Sequence, residues 1–219
     1  MDNSIQTLPL DIVSLLLRTV LAASGFADFY SMLKAWAQAQ KKHLILRLLE
    51  DFPISGLYRF GNVGSMSDKA AFQQFMIVAE EMDIGDAIVY QRCVNIFLGF
   101  RNIEASYAAL DELSSRGHFL AKIASWLLKI LYRRHTSLSA LHALVDIHRS
   151  PYYAHRIGPA LASIKVIYSS IRGSHTLPTV EKKICCPIHS SGGEEFVAIE
   201  RLQAGLCIFC ELACMLNMF

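Results

Sequence analysis

Residues 67–119 read SDKAAFQQFMIVAEEMDIGDAIVYQRCVNIFLGFRNIEASYAALDELSSRGHF, and the punctuation of this stretch decides the fold. Ser67-Asp68 opens a helix: a serine caps the free N–H groups, and an acid in the first turn meets the positive end of the dipole. The helix runs to about Glu81 and stops at Asp83-Ile84-Gly85. A second covers Asp86 to Phe97 and ends at Gly99; a third covers Ile103 to Ser115 and ends at Gly117. Gly85 and Gly117 lie 32 residues apart, each between a helix that ends and a helix with small Ala positions that begins. Small residues at facing positions let paired helices approach closely, so the spacing predicts stacked antiparallel hairpins. An ordinary helical bundle is the alternative.

Working outward, a fourth helix is expected over Phe119 to Arg134, its two final arginines at the negative dipole end. A fifth starts at Thr136 or Ser137 and closes at Arg149, and a sixth runs from Tyr153 to Ile171. Pro159 should kink or split the sixth, because it lacks an N–H and crowds the preceding turn. Upstream, Pro9 suits a first turn, and Ile12, Leu15, Leu16 and Val20 form an apolar stripe at helical spacing. Ser24-Gly25 breaks the chain, with Ser24 able to cap a helix carrying Phe26, Phe29, Tyr30 and Leu33. From Asp51-Phe52-Pro53 to Ser65 there are three glycines and no firm period, which reads as an irregular connection. No stretch sustains period-two alternation, so an all-α fold is expected. The expected division is 1–55, a linker at 56–66, helical hairpins at 67–173 and a Cys-rich tail at 174–219.

Composition narrows the function. Of 219 residues, 53% are hydrophobic and 18% charged, and mean hydropathy is +0.33, so a membrane segment must be considered. The best candidate, Leu8 to Ala23, is interrupted by Asp11, Ser14, Arg18 and Thr19 and falls short of the roughly 18 apolar residues a span needs. No basic segment precedes it, and Pro9 sits at its start, so it also makes a poor secretion signal. No membrane partner is expected. A net charge of +2 with scattered Lys and Arg gives no footprint for nucleic acid. Five of six cysteines lie in the last 35 residues; without a signal segment they suggest a reducing compartment, cytoplasmic or nuclear.

Catalytic arrangements are missing from the sequence: there is no G-x-S-x-G, Walker loop, G-x-G-x-x-G or H-E-x-x-H. Glu80-Glu81 and Glu194-Glu195 are adjacent pairs on diverging faces, expected to be solvated. His118, His135, His142, His148 and His155 are dispersed, so no enzyme is expected. Ligand chemistry is suggested only in the tail. Cys186-x2-His189 and Cys207-x2-Cys210 could supply four tetrahedral zinc ligands. The apolar residues around Cys207 favour instead a buried, reduced cysteine cluster, since Cys packs as a small hydrophobe.

Leu8-Pro9-Leu10-Asp11-Ile12-Val13, then Leu16-Leu17, Val20, Ala23-Ser24 and Asp28-Phe29-Tyr30-Ser31, resembles the start of an F-box. Leu46-Arg47-Leu48-Leu49-Glu50-Asp51-Phe52-Pro53 resembles the closing segment in a group of plant F-box proteins. In that group tetratricopeptide-like helical repeats and a Cys/His tail follow, which is the order of parts here. The resemblance implies docking on the adaptor subunit of a cullin-based ubiquitin ligase, with the rest of the chain selecting a protein substrate. Carried over by position, Leu8, Pro9, Ile12, Leu16 and Val20 are the docking residues. The chain departs from the family where a Cys-Lys pair and an aromatic residue are usual, reading Met32-Leu33-Lys34-Ala35-Trp36 in a shortened segment. A helical-repeat scaffold without ligase docking is the alternative, in which the apolar ridge packs on the protein's own second helix.

Overall fold

The computed structural model describes residues 8–38, 40, 42–50, 54–61, 64–99, 102–132, 143, 146–147 and 150–172. Every described element is helical: α1 (Leu10–Ala23), α2 (Phe26–Ala37), α3 (Lys42–Glu50), a 3-10 helix (Ile54–Gly61), α4 (Met66–Glu81), α5 (Gly85–Leu98), α6 (Ile103–Ser115), α7 (Phe119–Tyr132) and α8 (Ala154–Arg172). The described residues are all-α, as the periodicity predicts. Contacts divide it into two units, Met1–Phe100 with Val166–Gly173 and Arg101–Lys165 with Ser174–Phe219. Residues 1–55 therefore share a unit with the α4–α5 hairpin.

The reason lies in the first unit's core. Phe26 of α2 sits 5.1 Å from Phe29, 5.2 Å from Phe60 of the 3-10 helix, and 5.4 and 5.6 Å from Phe72 and Phe75 of α4. The last two pairs are edge-on, an arrangement that sets the positive ring edge against the negative face and contributes about 0.5–1.5 kcal/mol beyond area burial. Phe72 passes the cluster on to Tyr90 of α5. The stretch expected as an irregular linker is thus a structural element: Ile54, Leu57 and Tyr58 are buried, and the Tyr58 hydroxyl donates to the Asp86 carbonyl at 2.6 Å. Burial pushes the Tyr58 phenol well above its ordinary range, with the Asp86 charge adding to it.

The two hairpins have the same internal design. At the end of α4 the Ile84 N–H bonds the Ala79 carbonyl, with Asp83 left-handed at φ 63°. At the end of α6 the His118 N–H bonds the Leu113 carbonyl, with Gly117 left-handed at φ 89°. Both are Schellman closures, which satisfy the last carbonyls of a helix. The equivalent positions are Asp83 and Gly117, 34 residues apart, rather than Gly85 and Gly117 at 32. Gly85 is instead the first residue of α5. In this register Ala79 and Leu113, Ala87 and Ala121, Cys93 and Leu127, and Ile96 and Ile130 are all buried pairs.

Several boundaries differ from expectation for local reasons. The cap of α4 is Ser65, not Ser67: Ser65 and Asp68 form a reciprocal capping box, with Asp68 N–H donating to Ser65 Oγ at 3.1 Å. Ser24 does not cap α2, whose N-cap is Gly25 at φ 98°, a conformation that disfavours a side chain. Helix α8 continues through Pro159, which sits in its second turn. Of the expected fifth helix only Ala143, Asp146 and Ile147 are described, and all three are helical.

In the second unit α6 and α7 pack through Leu110 and Leu113 against an apolar α7 that buries Ile123, Ala124, Leu127 and Leu128. A polar knot crosses this contact, as does the hydrogen bond that the Tyr107 hydroxyl donates to the Leu128 carbonyl at 3.2 Å. Asp111 accepts from buried Ser125 Oγ at 2.5 Å and from Lys129 Nζ at 2.6 Å. His118 accepts the Ala121 N–H on Nδ1 at 3.2 Å, capping α7 with an imidazole.

Candidate functional site

Helix α1 decides where a partner could bind. Pro9 is its N-cap, and the Val13 N–H reaches the Pro9 carbonyl at 3.0 Å. One turn is apolar nearly all round, so packing one side inward leaves apolar residues on the other. Val13 and Leu17 are fully buried as α1 packs on α2 and α3. Ile12 keeps 41% of its surface, Leu15 61% and Leu16 36%.

These three side chains form a ridge, because positions 12, 15 and 16 are neighbours on a helix surface. Arg18 and Thr19 flank it on the exposed side, with Thr19 Oγ1 returning to the Leu15 carbonyl at 2.9 Å. Isolated exposed leucines are ordinary, but adjacent ones rimmed by polar residues mark contact surfaces.

Of the residues expected to dock, Pro9, Ile12 and Leu16 are exposed, and Leu8 and Val20 are half-buried. The residue not anticipated is Leu15, the most exposed of the ridge. Its signal was present in sequence, since it lies between Ile12 and Leu16 on the same face. The alternative has this same ridge packed on the second helix; the fully buried positions of α1 are Val13 and Leu17, while Ile12 and Leu16 keep part of their surface.

Other candidates add little chemistry. The expected metal ligands Cys186, His189, Cys207 and Cys210 lie outside the described residues. Among the described residues no three His, Cys, Asp or Glu side chains are grouped to hold a metal ion. Cys93 is fully buried in α5, and burial pushes its thiol far above the ordinary range, so it is no nucleophile. Glu80 is not simply solvated: it pairs with Arg92 across the α4–α5 contact at 2.5 Å. Among the described residues no helix is long and apolar enough to cross a membrane.

No family model, curated protein or solved structure matches this chain.

Proposed function

We propose that this chain is a protein-interaction module that docks on a partner through the outer ridge of α1. Its closest functional analogy is an F-box substrate-recognition subunit seated on the adaptor of a cullin-based ubiquitin ligase. The observation that carries the reading is the division of α1 into a buried side, Val13 and Leu17, and an exposed apolar side, Ile12, Leu15 and Leu16. An amphipathic helix meeting a hydrophobic groove uses just such i, i+3, i+4 anchors. Covering what remains exposed of three aliphatic side chains contributes on the order of 3 kcal/mol before association costs. The 34-residue offset between the hairpins is the period of tetratricopeptide repeats, which supports a role for α4–α7 in selecting a protein substrate.

A second reading is a helical-repeat scaffold that does not engage a ligase. It is favoured by the aromatic core that Phe26 and Phe29 share with Phe75, since α2 is then part of the scaffold rather than of a detachable module. Co-purification of the chain with the ligase adaptor separates the two. Capture by the native chain and none by an Ile12→Asp, Leu16→Asp variant of unchanged helicity supports docking; no capture by either retires it in favour of the scaffold.

A further inference from the structure

A concavity lies between α2, α3 and α4. It is a cleft of about 320 Å³, within the range of small-molecule sites. Its walls are apolar: Leu33 and Ala37 of α2, Ile45 and Leu49 of α3, Phe75 and Val78 of α4, and Met82, the C-cap of α4. The polar side chains among the described lining residues share one edge. Tyr30 and Lys34 of α2 and its C-cap Gln38 line it at i, i+4 and i+8. Among the described lining residues Lys34 carries the only formal charge, and its Nζ lies 5.6 Å from the Tyr30 ring centroid. Burial raises the Tyr30 phenol, as expected of a ring half inside a hydrocarbon wall.

We infer that this cleft binds a free single-chain fatty acid, its alkyl chain among α2, α3 and α4 and its carboxylate at Lys34. The charge pattern selects the class. An apolar slot rewards any alkyl chain, but a single cation at its edge, with no carboxylate among the described lining residues, favours an anionic head and opposes a cationic one. Tyr30 and Gln38, one turn to either side of Lys34, bring further hydrogen-bond donors to the same edge. The inference is independent of docking by α1.

The test is displacement of 11-dansyl-undecanoic acid from the full-length chain by dodecanoate, dodecanol and dodecyltrimethylammonium, each below its micelle concentration. Dodecanoate is expected to displace the probe at least about tenfold better than the cationic amphiphile and about three- to tenfold better than the alcohol. Lys34→Gln, at an exposed position, should abolish the acid-over-alcohol preference while leaving alcohol binding in place. Val78→Trp, at a 41% exposed lining position, should block the slot and lose all three ligands with circular dichroism unchanged. Ile12→Asp, Leu16→Asp should leave the displacement as it is. Equal binding of acid, alcohol and cation, an unchanged preference in Lys34→Gln, or displacement lost only in the α1 variant would each overturn the inference. The same holds for no probe binding by the native chain, which would leave the slot to an apolar side chain of a partner protein.

Discussion

Asp68 Oδ1 accepts the backbone N–H of Ala27 at 2.8 Å across 41 residues of chain, while Asp68 Oδ2 accepts the N–H of Ser65 at 3.1 Å. One carboxylate therefore closes the N-termini of two helices, α2 and α4. It replaces the side-chain cap that Gly25 cannot supply to α2. A Cβ at Gly25 would stand 3.0 Å from Asp68 Oδ1, so glycine is needed for close approach as well as for its positive φ.

Removing this carboxylate costs α2 its cap and α4 the returning half of its capping box, while Ser65 still caps α4. Asp68→Ala is expected to lower stability by about 1–2 kcal/mol, on the order of one lost N-cap with part of a second, measured by urea denaturation at pH 7. The backbone bond from Ala27, then the Ser65 side chain, holds the Asp68 carboxyl below its ordinary value. A depressed folded pKa gives stability that is complete above the unfolded value of about 4 and is lost as pH falls through the folded one. The difference between native and Asp68→Ala should accordingly shrink below about pH 4. A difference that persists unchanged into that range would show that the effect is packing, not charge.

Asp83 and Gly117 occupy the same left-handed position at the ends of α4 and α6. A non-glycine residue there carries strain, eased for Asp by its short polar side chain. Asp83→Gly should be neutral or stabilising by up to about 1 kcal/mol, whereas Gly117→Ala should destabilise by about 1 kcal/mol. No atom stands within 4 Å of a Cβ at Gly117, so the second effect is backbone strain alone. Thermal melting of the two variants checks the signs, and two losses of equal size would contradict the shared design.

The Asp111–Ser125–Lys129 knot makes an asymmetric prediction. Asp111→Ala leaves a hydroxyl that is 1% exposed without its acceptor and should cost about 1–3 kcal/mol. Lys129→Ala removes only a partly exposed ion pair and should cost less than about 1 kcal/mol. Urea midpoints of the two variants decide it; a larger loss from Lys129→Ala would place the stability in the ion pair instead.

What the sequence made legible was local. The helices α4 to α7 and most of their termini follow from caps and glycines that act within four residues, and the apolar ridge of α1 follows from a 3.6 period; α3 (Lys42–Glu50) has no such punctuation and was not expected. The 3-10 helix Ile54–Gly61 was hidden because one or two turns with Ile54, Leu57 and Tyr58 inward leave too few residues to establish a period, and its glycines resemble loop punctuation. Glycine spacing gives a repeat offset of 32 rather than 34 residues because an aspartate, not a glycine, fills the left-handed position that ends α4. The Ala27–Asp68 bond and the cleft beneath Lys34 depend on tertiary approach between residues tens of positions apart, and no short-range pattern encodes them. Which side of α1 is buried is likewise set by α2 and α3: a stripe wider than one contact needs cannot itself say which half is covered.

Docking by the exposed side of α1 is tested most directly by calorimetric titration of the full chain with the ligase adaptor. The native chain should bind with Kd of about 1 µM or tighter, with a negative heat-capacity change from apolar burial. Ile12→Asp, Leu16→Asp should bind at least about thirtyfold more weakly with an unchanged melting curve, and Leu15→Asp about tenfold more weakly. Native affinity retained in these variants, or no binding by the native chain at about 100 µM adaptor, would contradict the assignment of this helix face to the ligase.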